Sequence, residues 1–199
     1  MKQPASLAMP YLLAILVWVP SESAAHVVHG EGVSFAQGFV HPISGLDHVI
    51  AMVAVGLWGA QLGAPALWLL PLTFPVIMSI GGFLGLIGVP LAGSETVIAL
   101  SGLCLGGAVL MQLRPPLWLA GLLVGIFGLY HGYAHGAEFP REGDALLYSI
   151  GFVLATGLLH ASGVTVGLLH KWSWGRIVLR GAGAVILGGG TYFLWGALA

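Results

Sequence analysis

The stretch HPISGLDH, residues 41–48, places three ionisable side chains at the start of a long apolar run. His41, Asp47 and His48 are costly residues in hydrocarbon, where one aspartate at mid-helix costs about 2.5–3.5 kcal/mol on insertion scales. Neutral imidazole and carboxylate are also suitable ligands for zinc, copper, iron or nickel. Ionisable residues within an apolar segment are functional candidates by default, so this stretch indicates a metal site or a metal path.

The spacing within this stretch limits how its side chains can act together. On a continuous helix His41 and His48 would share one face but lie about 10 Å apart along the axis, too far to share one ion. Pro42 removes a helical hydrogen bond and Gly45 weakens the turn, so the segment could be kinked or unwound. Asp47 projects about 100° away from His48 and could either join a site or orient a histidine.

A second cluster ends a later apolar run, in YHGYAHGAE. His131, His135 and Glu138 follow the spacing i, i+4, i+7, which makes a single stripe on a helix. Small residues beside the stripe would let a neighbouring helix pack close to the imidazoles. These small residues are Gly128, Gly132 and Gly136. The spacing HxxxH is common by itself. This cluster indicates a metal site mainly because the first cluster is present in the same chain.

Isolated polar residues carry less weight than the two clusters. His160, in GLLHASG, could be a further ligand, although a lone buried histidine is more often hydrogen-bonded to the backbone. Met52, one turn after His48, is better explained by packing, and His170 by a position in a loop. Glu95 is a further carboxylate, which opens the third of the expected spans.

The elements that must position these groups are apolar helices. Hydrophobic residues make up 58% of the chain and charged residues 7%, with a mean hydropathy of +0.98, whereas a soluble domain carries about 25% charged residues. We therefore predict an all-α, polytopic membrane protein with six transmembrane helices after a cleaved signal peptide. The spans are expected at approximately 34–60, 65–88, 94–113, 115–137, 144–170 and 175–197.

The candidate residues lie at different depths of these spans. Counted from the outer ends, the expected order is His135 and Glu138, then His41 and His131, then Asp47 and His48, and finally His160. A ladder of weak sites suits passage better than storage, because a transported ion must also leave.

The first 25 residues are typical of a signal peptide. Lys2 precedes the apolar core YLLAILVWV, and the small residues of SESAA suit a cleavage site. An uncleaved first helix is the alternative. Cleavage would leave residues 26–199 as one six-helix domain, with His26 and His29 as an external capture site. Basic residues are concentrated in alternate loops, which predicts that both termini lie in the periplasm. The expected location is the bacterial inner membrane.

The motifs together resemble those of a known family. His41, five intervening residues and then Asp47-His48 resemble the signature of the HupE/UreJ family of nickel permeases, the hydrogenase/urease accessory proteins. AMVAVGLWG, HGYAHGAE and ATGLLHASG also look like that family's blocks, so the resemblance covers essentially the whole chain. It implies that His41, Asp47 and His48 are required for nickel passage. It also implies that four other residues assist nickel passage: His131, His135, Glu138 and His160.

The resulting expectation is a permease that moves a divalent transition metal, Ni²⁺ by resemblance, inward to supply hydrogenase or urease maturation. We expect no permanently bound cofactor and no nucleic-acid partner. Its partners would be the transported ion, with Co²⁺ and other divalent metals as competitors, the lipid bilayer, and further copies of the chain if the glycine-rich faces associate.

Two alternatives remain open from the residues. One is a His-rich intramembrane metalloenzyme, an oxygenase or hydrolase, which would hold its metal permanently and keep an open coordination position. The other is an accessory subunit whose polar residues only bind helices together.

Overall fold

The computed structural model describes residues 34–139 and 144–199. Regular structure in these two ranges is helical, in agreement with the predicted all-α class. They contain seven α-helices: α1 (Phe35–Ser44), α2 (Leu46–Leu62), α3 (Ala66–Leu86), α4 (Ser94–Met111), α5 (Leu117–Ala137), α6 (Ala145–Gly167) and α7 (Ser173–Leu198). A 3₁₀ turn, Leu168–Lys171, joins α6 to α7. The predicted signal peptide and the capture site predicted at His26 and His29 lie outside the described residues.

Helices α3 to α7 are each long and apolar enough to cross a membrane. α1 and α2 meet that criterion only together, and the pair is bent by 81°. The first predicted span, 34–60, therefore corresponds to two helices with a sharp break between them. The expected interruption is confirmed at Gly45, since α1 continues through Pro42 and ends at Ser44, and α2 begins at Leu46. α2 alone has 17 residues, or about 25 Å of helix.

Glycines allow α3 and α5 to pack backbone against backbone. A Cβ added to Gly132 of α5 would overlap the carbonyl oxygen of Met78 on α3, and one added to Gly128 would lie 2.8 Å from the carbonyl oxygen of Phe74. The glycine face predicted beside the histidine stripe is therefore where α3 sits. Gly121, nearer the start of α5, has open space instead.

Close backbone packing at glycines also joins other helix pairs. Gly56 of α2 and Gly163 of α6 face one another across a backbone contact, and Gly106 of α4 packs against the backbone of Leu187 on α7. α1 packs on the first turns of α6 through Gly151. α3 runs parallel to α5, and α2 runs parallel to α6, because the paired residue numbers rise together along each contact.

α2 is the central helix of the bundle, in contact with α1, α3, α4, α6 and α7. Two side chains fix its C-terminal part to the end of α4. Trp58 Nε1 donates to the carbonyl oxygen of Leu113 at 3.0 Å, and Gln61 Nε2 donates to that of Val109 at 3.2 Å. The N-terminal part of α2, which carries Asp47 and His48, is thereby held at a defined height in the bundle.

The outward-facing surface is apolar, as a lipid-facing surface must be: Ile177 and Trp195, for example, are 74% and 77% exposed. At the end of the bundle where α3, α5 and α7 begin, tryptophans lie among basic residues: Trp68, Trp118, Trp172, Trp174, Arg114 and Lys171. Tryptophan belts and Lys/Arg bias are typical of membrane interfaces. These features define a multi-pass membrane protein.

Candidate metal path

The break after α1 brings together two histidines that a straight helix would keep apart. Gly45 adopts an extended conformation, with φ −84° and ψ 109°, so His41 lies in the last turn of α1 and His48 in the first turn of α2. Both rings reach His135 on α5. His41 Nε2 lies 2.9 Å from His135 Nδ1, and His135 Nε2 lies 3.2 Å from His48 Nδ1. The three imidazoles form one hydrogen-bonded chain.

The outer end of this chain carries a carboxylate. Glu138, the C-cap residue of α5, is exposed. A ligand atom from each of Glu138, His41 and His135 lies within 4.8 Å of the other two. Metal–nitrogen bonds of about 2.1 Å in tetrahedral geometry place two ligands of one ion about 3.4 Å apart. The His41 and His135 nitrogens are 2.9 Å apart across a hydrogen bond, so the two rings must give up that bond and turn before both lone pairs can face one ion.

Two further imidazoles are held in one tautomer by the backbone. His131 Nδ1 lies 2.8 Å from the carbonyl oxygen of Phe127, and His160 Nδ1 lies 3.0 Å from that of Thr156. A carbonyl oxygen only accepts, so each Nδ1 carries the proton and each neutral ring has its lone pair on Nε2. Metal-binding histidines are oriented in this way, with the second nitrogen donating to a backbone carbonyl or a carboxylate.

The Nε2 atoms of three histidines are buried without a hydrogen-bond partner in the part of the chain that the structure describes: His48, His131 and His160. The rings of His48 and His131 lie 5.5 Å apart between centroids. An unpaired buried polar atom costs about 1–3 kcal/mol, which native folds normally avoid. Two other side-chain atoms, Gln61 Oε1 and Thr156 Oγ1, are buried in the same way. The three imidazole nitrogens are therefore candidate contacts for a polar ligand or an ion.

Asp47 makes a hydrogen bond different from those that the sequence suggested. Its Oδ1 accepts the backbone N–H of His48 at 2.9 Å, and it stands in the first turn of α2. A carboxylate there offsets the positive end of the helix dipole. Asp47 thus places a negative charge beside the histidine chain, while its role as a ligand stays a prediction.

Sequence reasoning missed the aromatic side chains that enclose the imidazoles. The Phe152 ring lies 4.9 Å from that of His135 and 5.6 Å from that of His48, while Phe74 lies against both His131 and His160. A signal existed for Phe152, which is two helical turns before His160 and therefore on the same face of α6.

Three of the residues given less weight in the sequence have an ordinary place in the fold. Met52 is fully buried in the apolar core, as packing predicts, and Glu95 is exposed in the first turn of α4. His170 lies in the 3₁₀ turn, where Nδ1 is 3.0 Å from the carbonyl oxygen of Gly167.

A cavity of about 290 Å³ lies beside the histidine chain, between α3, α5 and α6. His135, Tyr148 and Ser149 are among its lining residues. A larger cavity of about 550 Å³ lies elsewhere in the bundle and is lined by Trp58, Phe127 and residues of α4, with Arg114 at its edge. His135 thus belongs both to the histidine chain and to the lining of the 290 Å³ cavity.

An apolar helical bundle with ionisable ligands grouped inside it is a multi-pass membrane protein with an internal polar site. The family model described as "HupE / UreJ protein" matches residues 13–193, and the chain belongs to that family. It is 41% identical to Protein HupE of Rhizobium leguminosarum bv. viciae over 179 residues, which cover 89% of this chain and 93% of that protein.

A second relative is more distant. The chain is 31% identical over 134 residues to the tetracenomycin C resistance and export protein of Streptomyces glaucescens. That match covers 65% of this chain but only 23% of the other protein. No solved structure matches the chain at comparable significance.

Proposed function

We propose that the chain is a permease that passes a transition-metal ion, Ni²⁺, across the bacterial inner membrane along its buried histidines. The observation that carries the proposal is the set of three buried imidazole nitrogens without partners, on His48, His131 and His160. On His131 and His160 this nitrogen carries the lone pair, because Nδ1 donates to a backbone carbonyl oxygen. On His48 it carries the lone pair in the tautomer whose Nδ1 donates to His135 Nε2. Such lone pairs can stabilise a desolvated cation.

The order of the ligands supports passage along a line of sites. The ion would meet Glu138 with His41 and His135 first, since Glu138 is exposed and lies within ligand distance of both. His135 contacts His41 through Nδ1 and His48 through Nε2, so one ring touches two successive positions. Several weak sites in sequence let an ion bind and still leave.

Family membership supports nickel as the ion and a nickel enzyme, hydrogenase or urease, as its destination. The ligand set alone does not select nickel, because copper binds more tightly at almost any nitrogen and oxygen site. The basic end of the bundle supports an orientation with Arg114 and Lys171 in the cytoplasm and Glu138 outside.

Family membership also favours transport over the alternative of an intramembrane metalloenzyme. The two differ in how they hold metal. Purified protein that keeps stoichiometric iron or zinc through dialysis against a weak chelator would favour the enzyme, while rapidly exchanging nickel would favour the permease.

The test is uptake of radioactive nickel by cells that express the chain, with cobalt, zinc and copper as competitors. His131→Gln removes one buried ligand and should lower uptake by at least about tenfold. His170→Gln is the matched control, because His170 makes a similar backbone contact outside the cluster. Equal uptake by both variants, normalised to membrane-inserted protein, would refute the path. No uptake by wild-type cells would favour an accessory subunit.

A further inference from the structure

Thr156 carries a buried hydroxyl group that has no role in the path described so far. It lies on the buried face of α6 with 0% exposure, one helical turn after Phe152 and one turn before His160. Its Oγ1 has no hydrogen-bond partner in the described ranges 34–139 and 144–199. Native folds rarely leave a buried hydroxyl in this state, because it loses its bonds to water and gains none in the protein.

A local partner for this hydroxyl exists, but the bond to it is not made. In a helix, a serine or threonine hydroxyl can donate to the carbonyl oxygen three or four residues earlier. Other hydroxyls of the bundle make this bond at 2.6–2.9 Å: Thr73, Ser79, Ser101, Ser162, Thr165 and Thr191. At Thr156 only the backbone carbonyl is used, by Nδ1 of His160. The Thr156 hydroxyl therefore keeps its lone pairs and its proton for another partner.

The contacts of α6 around this hydroxyl fix its height relative to α5. The Phe152 ring, one turn before it, lies 4.9 Å from the His135 ring between centroids. The His160 ring, one turn after it, lies 5.6 Å from the Phe74 ring, and the Phe74 backbone packs on Gly128 of α5. Over these two turns, α6 thus passes from the level of His135 to the level of Gly128.

The Thr156 hydroxyl, midway between those two contacts, therefore lies level with His131. The rings of His131 and His48 are 5.5 Å apart between centroids, and the Nε2 of each is buried without a partner among the described residues. His48 stands on α2, which packs backbone to backbone against α6 at Gly56. Two imidazole nitrogens and one hydroxyl oxygen thus occupy one layer of the bundle.

We propose that Thr156 Oγ1 is an oxygen ligand of the transported ion in this layer, together with His48 and His131. This inference rests on the proposed function. An ion that leaves these two imidazoles for His160 must pass the residue one turn before it on α6, and the hydroxyl offers a lone pair at that point. A neutral hydroxyl binds a cation weakly, which suits a site that must also release its ion.

Equilibrium dialysis of purified protein against radioactive nickel tests the oxygen ligand. The parent protein carries Glu138→Gln, which removes the carboxylate of the outer ligand group, so that binding at the buried layer is measured. Thr156→Val keeps the shape of the side chain without the hydroxyl. It should weaken nickel binding about tenfold, the scale of one lost polar contact to a charge. Thr156→Ser keeps the oxygen and should bind nickel nearly as well as the parent.

Thr165→Val is the matched control, because Thr165 lies on the same helix and its hydroxyl already donates to the Ala161 carbonyl oxygen at 2.8 Å. This variant should bind nickel as the parent does. In chelator, Thr156→Val should be at least as stable as the parent, because it removes an unpaired buried hydroxyl. Parent-like nickel affinity in Thr156→Val would overturn the proposal. Equal losses of affinity in Thr156→Val and Thr156→Ser would overturn it as well, because the oxygen would then make no difference.

Nickel influx into proteoliposomes that enclose a fluorescent metal indicator separates this inference from the proposed function. With Glu138 intact, Thr156→Val should lower the initial rate about tenfold at equal amounts of inserted protein, while Thr156→Ser should keep most of the rate. Influx at the wild-type rate in Thr156→Val would overturn the part of the hydroxyl in passage. If wild-type vesicles take up no nickel, the proposed function fails, whereas weaker nickel binding by Thr156→Val in dialysis would still establish the ligand.

Discussion

Replacing His131 with leucine should make the metal-free protein more stable, although it should impair transport. The buried Nε2 of His131, unpaired among the described residues, costs about 1–3 kcal/mol, and leucine removes that cost. The substitution also removes the contact of Nδ1 with the Phe127 carbonyl oxygen, worth about 0.5–1.5 kcal/mol. The difference favours His131→Leu by about 1 kcal/mol.

With nickel bound, the wild-type protein should instead be more stable than His131→Leu. A ligand at about 100 times its Kd stabilises a folded protein by about 2.7 kcal/mol. The wild-type chain should gain that amount from nickel, whereas His131→Leu, which lacks one of the ligands, should gain much less. The assay is unfolding of purified protein in detergent, followed by tryptophan fluorescence, with chelator and with nickel.

His170→Leu is the control for this reversal of stability by nickel. His170 lies in the 3₁₀ turn away from the cluster, so its replacement should change stability by less than about 0.5 kcal/mol and leave the nickel effect unchanged. If His131→Leu is less stable than wild type in chelator, the His131 Nε2 is satisfied in the metal-free protein and the reasoning fails.

Two further predictions concern charge and backbone contact. Asp47→Asn keeps the size of the side chain and an oxygen for the His48 N–H but removes the negative charge, so nickel uptake should be largely lost. Asp47→Glu keeps the charge and should retain a measurable part of the uptake. Near-normal uptake by Asp47→Asn would remove Asp47 from the ion path. Gly132→Ala forces a Cβ into the Met78 carbonyl oxygen and should lower the free energy of unfolding in detergent by about 1–3 kcal/mol. Gly121 has open space, so Gly121→Ala should leave that free energy unchanged or raise it. Similar losses of stability for both variants would contradict the backbone contact.

The class of fold and the histidine stripe could be predicted from the sequence because both depend on local pattern. Apolar run lengths indicated helices, and the i, i+4, i+7 spacing placed His131, His135 and Glu138 on one face of α5. The glycines beside them indicated a close neighbour, which is α3. These inferences needed no knowledge of which helices meet.

The composition of the site could not be predicted because it depends on contacts between distant segments. Pro42 and Gly45 indicated a break, but not that its 81° bend would bring His41 and His48 to opposite nitrogens of His135. Phe74 lies between prolines in an apolar run, and only the packing of α3 and α6 shows that its ring reaches His160. The Asp47 carboxylate can accept a hydrogen bond either from the backbone N–H of His48 or from an imidazole N–H. The sequence does not show which of these two donors it bonds.

The parallel glycine contacts divide the histidines between two rigid units. α2 and α6 form one unit, which carries His48 and His160, while α3 and α5 form another, which carries Phe74, His131 and His135. Because each unit is held backbone to backbone, distances within it are fixed. Sliding or rocking of one unit against the other would change the His48–His131 and Phe74–His160 separations together while leaving His131 on Phe74. In the proposed permease, ion contact at His48 and ion contact at His160 would therefore change along one rigid-body coordinate.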